Sequence, residues 1–394
     1  MGQFDWSVRV AGGEVRDLVL DDTATIRYGR TTIDVQPEPT NATLNLLTYD
    51  AAPSLFDDKP SYILDNEQIP SGFVAEWREN YDGVVTVLEL GASVEIDIAG
   101  ASGFTAQWSE IYLGALAQTN RFRGHVIAMD YRPGTLTLTA ATDQENLGRV
   151  MVGGSGRAAQ TDAQRVQEIS TEAGVAITVE AGQDINLRAL PEYERTAWTA
   201  LQQVCDDVGG LLYTDREGVV RYRQRGGYEP SHVVIPPLHT LVDPLAMSID
   251  VSRVANTVKV TYGDVDGDGN RPVATAQNPD LVTALGVRET EIVTDLADAA
   301  DAQARADQRA AITPQWEAGT VTVFLRNGDE GLIGDVANLE LGDKVTLPDL
   351  LPGSPSPTYT ANLLGYTEQL GTNDWQLALH LAPWFVDDNA GKVK

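Results

Sequence analysis

The chain has 394 residues, with 28 Lys+Arg against 57 Asp+Glu and a formal net charge of −29 at pH 7. So acidic a balance argues against DNA or RNA as a direct partner, because such binding rests on Lys and Arg neutralising phosphates. A 42% hydrophobic and 22% charged composition reads as folded, with length for two or three domains, and the single Cys205 excludes a disulfide framework or a Cys-based zinc site.

Gly and Pro, 36 and 19 residues, are spread without a collagen-like period, which points to many turns joining short strands. The start, Met1 to Trp6, has neither a basic patch nor an apolar run, and no later window approaches the ~20 apolar residues of a membrane span. The expectation is a soluble chain without a transmembrane segment or export signal.

From Trp6 to about Asp143 the pattern is short alternating runs. Thr43–Leu46, Val84–Leu90 and Ser93–Ile98 put apolar and polar side chains on opposite faces at period two. His125–Asp130 and Thr135–Ala140 flank Tyr131-Arg132-Pro133-Gly134, the chemistry of a hairpin turn. The middle changes character. Thr161 and Gln164 have capping-box spacing, Val166, Ile169 and Ala173 recur at helical intervals, and Gly174 suits a left-handed end. A second helix is predicted from Arg195 to Val208, burying Trp198, Leu201, Cys205 and Val208, stopped by Gly209-Gly210. Leu211–Thr214 and Val219–Arg223 then flank Asp215-Arg216-Glu217-Gly218 as a second hairpin. Beyond it, strands are predicted at Val254–Tyr262, Gly319–Leu325, Leu341–Leu347, Ala361–Glu368 and Trp375–Leu381. An Ala-rich helix from Asp298 to Ala311 interrupts them and stops before Pro314.

Catalytic motifs are not found. His125, His232, His239 and His380 show no metal-ligand spacing and read as structural histidines. Gly153-Gly154-Ser155-Gly156 has Arg157 where a nucleophile elbow needs Gly, and reads as a flexible loop. Asp264-Val265-Asp266-Gly267-Asp268-Gly269 begins like a calcium loop, but Pro272 and Thr275 occupy the ninth and twelfth positions. An acidic turn between strands is the favoured reading, with a weak Ca²⁺ site as the alternative. Cys205 falls on an apolar stripe, where a packed thiol is expected rather than a nucleophile.

Several patches in order along most of the chain resemble the tail hub, or baseplate hub, proteins of tailed bacteriophages, a group that includes minor tail proteins of long-tailed actinobacterial phages. They are Asn41–Leu47, Leu90–Ile96, Arg121–Val126 with Gly134–Ala140, and Thr196–Val204 running into Gly209–Tyr213 and Gly218–Arg223. Leu341–Val345, Leu364–Tyr366 and Trp375–Pro383 follow. Residues 50–85, with Tyr62, Trp77 and Tyr81, depart from the family's spacing and read as an insertion.

The resemblance implies a mainly β fold with a few helices (α+β). Two β-barrel-like domains, 1–150 and 236–394, would surround a central helix-hairpin unit at 151–235. It further implies a structural virion protein: a homotrimeric ring at the tail tip, made in the host cytoplasm, around the genome exit channel. Its partners would be the distal tail protein, the tape measure protein and other minor tail proteins. No cofactor and no catalytic, cofactor-binding or metal-binding residue follows from it. Acidity around a channel would repel DNA, although it equally serves solubility. The alternatives are a hexameric distal tail protein, or a carbohydrate-binding or cell-wall-acting tail protein using Trp77 and Tyr81.

Overall fold

The computed structural model describes residues 5–10, 13–14, 19–29, 36–47, 74–78, 85–89, 93–99, 119–132, 135–237, 240–241, 247–248, 251, 254–314, 317–318, 320–325, 330–348, 358–371 and 375–383. Strand outweighs helix, as the alternating patterns predict. Thirteen strands form one sheet. Its path enters at Thr240–Leu241 and runs through Val321–Phe324, Trp375–Pro383 and Tyr359–Gly371. It crosses to Val19–Gly29, Asn41–Leu47, Thr135–Ala141, Thr119–Arg132 and Ser93–Ala99, and leaves through Asp5–Val10 and Gly13–Glu14. Lys344–Leu347 joins Tyr359–Gly371 and carries His232–Val234 in parallel. Among the described residues the two ends of this path do not pair, so the described sheet is open rather than closed into barrels.

The strand blocks at the two ends of the chain meet at one seam, where Val19–Gly29 runs antiparallel to Tyr359–Gly371 with Tyr28 opposite Tyr366. Ile26, Leu44, Phe122 and Leu138 from the first block share a buried core with Val323, Val345, Trp375 and Leu377 from the last. The predicted hairpin between His125–Asp130 and Thr135–Ala140 is present as an antiparallel pair. Its turn residues Pro133 and Gly134 lie outside the described residues. Of the suspected insertion, Trp77 lies on strand Val74–Arg78, paired with Val85–Glu89, while Tyr62 and Tyr81 lie outside the described residues.

A second core is built from the middle of the chain. Thr161 caps the helix Asp162–Ala173 with both arms of the capping box present, and Gly174 closes it at φ +70°. Helix Ala197–Val208 buries Ala197, Ala200, Leu201, Val204, Cys205 and Val208, one stripe at helical spacing, and ends at Gly209 with φ +76°. Trp198 falls beside that stripe and is half-buried, short of the full burial predicted for it. The hairpin Leu211–Thr214 and Val220–Arg223 extends a small sheet with Ile177–Glu180, which runs parallel to Val220–Arg223.

The Ala-rich helix Ala299–Ala310 also joins this middle core, not the closing strands with which it was expected. Its Ala302, Ala306 and Ala310 form a small-residue face, which packs with Val258, Val260, Ala274 and Ala276 of the sheet at Thr257–Thr261 and Val273–Gln277. The core divisions therefore run differently from the block boundaries read along the sequence.

Candidate functional site: an arginine-clamped seam

Where the two cores meet, two arginines of the middle hairpin and one from a strand of the sheet core converge on the short connection after helix Glu330–Ala337. Arg121, on strand Thr119–Arg132, donates from Nη1 to the Ala337 carbonyl. Arg216, in the turn of the middle hairpin, donates from Nη2 to the Leu339 carbonyl. Arg223, on the same hairpin, donates from Nη1 to the Leu341 carbonyl at 2.6 Å. Carbonyls at and just beyond a helix C-terminus lack helical partners and carry the negative end of its dipole, so guanidinium donors suit them.

Each arginine is also tied to an acid or a ring. Arg121 and Glu368 form a bidentate pair, Nε to Oε1 at 3.0 Å and Nη2 to Oε2 at 2.9 Å, with both side chains 0% exposed. Trp375 Nε1 donates to the same Glu368 Oε1 at 2.6 Å. Arg216 Nε donates to the Tyr366 hydroxyl at 3.2 Å, beside Tyr28, whose hydroxyl donates to Glu340 Oε2 at 3.0 Å. Burial alone would lower the Arg216 guanidinium, but Tyr366, Glu340 and Tyr28 outweigh it and hold it above its ordinary value. Arg223 pairs with Glu180 at 2.7 Å and lies over the Tyr228 ring, 3.8 Å from its centroid. Burial would raise the Glu180 carboxyl, yet the bonds from Arg223 and Tyr213 bring it below the usual range. Asp343 ties the connection down from the other side, accepting from Ser231 N at 2.8 Å, Glu340 N at 2.7 Å and the Tyr228 hydroxyl.

This arrangement is a mechanical joint. Its arginines are buried and paired, with Glu180 and Glu340 partly exposed at its edge, and the donors named point at fixed acceptors, so it suits rigid coupling of the two cores rather than proton or group transfer. The motifs weighed in the sequence lie elsewhere. His125 sits 3.5 Å from Asp143, His232 bonds Thr346 Oγ1 at 2.9 Å, and His239 lies outside the described residues. His380 is half-buried on strand Trp375–Pro383, where desolvation and then Arg27 lower its pKa. The Gly153–Gly156 loop is pinned rather than flexible: Gly153 N donates to Glu172 Oε1 at 2.9 Å, and Arg157 bonds Glu168 and Glu172. Asp264–Gly269 is an exposed acidic turn in which Asp266 Oδ1 accepts from Asp268 N and Asn270 N. Among the described residues no group of three His, Cys, Asp or Glu is placed to hold a metal ion. Cys205 is fully buried in the middle core. Among them, too, no helix is long and apolar enough to cross a membrane.

None of the three clamping arginines was picked out from the sequence as a joint. A usable signal was there: of 28 basic residues only five are Lys, and a strong preference for Arg marks buried, planar, multi-donor pairing.

The chain as a whole is similar in fold to three solved phage tail proteins. The tail protein from Neisseria meningitidis MC58 superposes with TM-score 0.60 at 14% identity over 96% of both chains. The 43 kDa tail protein of prophage MuSo2 from Shewanella oneidensis gives 0.56 at 12% identity over 97% of both. Prophage tail protein gp18 from Listeria monocytogenes EGD-e gives 0.56 at 14% identity, over 95% of this chain and 94% of that one. No protein-family model and no curated protein matches the sequence.

Proposed function

We propose that this chain is a structural, non-enzymatic protein of a phage tail, and that within the tail it forms the hub ring at the tip. The observation that carries the reading is the end-to-end correspondence with three tail proteins, each matched over 94% or more of its own length. The hub assignment draws on the family resemblance of the sequence patches, and on two strand-rich blocks flanking a helix-hairpin unit. On this reading the strands at the two ends of the chain supply two strand-rich parts to each subunit, residues 254–310 stay with the middle core, and three subunits present a six-fold face to the tail tube. The ring contacts the distal tail and tape measure proteins, and its acidic surface keeps DNA from adhering in the channel.

Native mass spectrometry over a range of concentrations tests this. A species near three times 42.5 kDa is expected. A hexamer would replace the hub with the distal tail ring, and a strict monomer at every concentration would remove the self-assembled ring. Release of reducing sugar from host cell-wall fragments would overturn the structural reading altogether.

A further inference from the structure

The three-stranded sheet of the middle core has two edges, and they differ. Val273–Gln277 forms one and Glu289–Val293 the other, each pairing with Thr257–Thr261 between them. At the first edge Pro272 and Asn278 bond across the ladder, which turns the Thr275 carbonyl away from it. That carbonyl is covered: helix Ala299–Ala310 packs against the strand, and its Gln303 Nε2 donates to Thr275 O at 3.2 Å. Among the described residues nothing pairs with the second edge.

This free edge has a definite register. The Arg288 carbonyl accepts from Thr257 N at 3.1 Å, and Thr294 N donates to the Thr261 carbonyl at 3.0 Å. Even-numbered peptide groups thus face the sheet, and alternation turns the N–H and C=O of Glu289, Glu291 and Val293 outward. The strand carries no Pro, Lys or bulge, the devices that commonly blunt an edge. Side chains at the same odd positions stand in solvent. Val287 and Val293, 66% and 60% exposed, are the most exposed large apolar side chains among the described residues, and they bracket Glu289 and Glu291. Lys259 already neutralises Glu289, Nζ to Oε1 at 2.7 Å. Glu291 accepts from the Thr261 hydroxyl at 3.3 Å, and among the described residues no cation pairs with it.

We propose that this edge takes an extended basic segment of another polypeptide as a fourth strand, with Lys or Arg opposite Glu291 and an apolar side chain beside Val293. Main-chain bonds supply the affinity of such a pairing, and alternate side chains its selectivity. Opposite charges on directly facing strand positions attract, and like charges repel. That disfavours a second copy of this chain, because antiparallel self-pairing centred on Glu289, Thr290 or Glu291 sets carboxylates against one another. The proposal needs only this sheet, and holds or fails separately from the tail assignment.

The test is fluorescence anisotropy on the full chain, using a labelled peptide that alternates Lys with Thr and ends in Val. Two further versions are N-methylated on alternate backbone amides, one at the Lys positions and one at the Thr positions. The unmethylated peptide is expected to bind. One methylated version should bind about tenfold more weakly, because it blocks the amides that face the edge, while the other keeps its affinity. No binding, or equal affinity of the two methylated versions, would overturn the proposal, the latter leaving only bulk charge. Glu291→Lys should weaken binding about tenfold with the circular-dichroism spectrum retained. Glu229→Lys, the same charge change at an exposed position before strand His232–Val234, should leave binding unaltered. Equal weakening by these two variants would overturn the proposal as well. Glu291→Pro removes an outward N–H that the sheet does not use, and if it abolishes self-association of the chain, the edge belongs to a second copy and the basic partner is excluded.

Discussion

Arg121 and Glu368 carry opposite charges out of water completely, which is costly for each alone and tolerable only as a hydrogen-bonded pair. Arg121→Met should therefore destabilise the fold by about 3–5 kcal/mol, because it strands the Glu368 carboxylate beside Trp375. Adding Glu368→Leu should recover only part of that loss, since the Trp375 indole N–H and the Ala337 carbonyl then lose their partners. Urea unfolding of the single and double variants measures both effects, and a single-variant loss below about 1 kcal/mol would remove the pair from the joint. Asp207 poses the opposite case. Burial, and then Asp295, push its carboxyl up to about 8, although it accepts from Asp295 N and Gln203. The folded state thus keeps a proton that the unfolded chain releases near pH 4. Between those values the folded form binds more protons, so this residue's contribution to stability falls as pH rises from about 4 to 8. Asp207→Asn should flatten that decline and be the more stable protein at pH 8. A decline of unchanged slope would show that other groups cause it. Neither residue stands out in the sequence, since burial of one charge among 57 acids depends on what distant elements place around it.

Elements whose ends are written in local chemistry were the legible ones. Helix Asp162–Ala173 carries its capping box and its left-handed glycine within the segment itself, and the structure keeps both. Thr161→Ala should cost about 1 kcal/mol by removing the acceptor for the Gln164 N–H, and Thr161→Ser should restore most of it. A chemical-denaturation midpoint unchanged by Thr161→Ala would mean that packing alone sets this helix. The short helix Pro279–Leu285 went unread, although Asn278 at its cap and Pro279 in its first turn are start signals; seven residues are too few to show a period. Strand Val19–Gly29 escaped for another reason. Its register shifts between Val19 and Ala24, around Asp21 and Asp22, and breaks the two-residue alternation that marks a strand.

Across the whole molecule, the two cores are joined by the hairpin arginines as well as by the chain. Wild-type protein should unfold in one calorimetric transition. The double variant Arg216→Ala with Arg223→Ala should split it in two, the middle core melting apart from the sheet core. A single transition in the double variant would show that the covalent connections alone suffice for coupling. Which blocks share a core was not legible, because local pattern marks a strand but not its distant neighbour, and here first-block strands pair with last-block strands. That same pairing sets a timetable during translation. Tyr28 bonds Glu340, 312 positions later, and at ordinary elongation rates the wait between them is on the order of tens of seconds. The middle core draws on residues 147–310, a continuous stretch, and can consolidate while the ribosome is still working. The early strands meanwhile hold an unpaired edge in a crowded cell, so slower synthesis of the last third, or a chaperone that shields exposed strand edges, should decide how much protein survives to assemble.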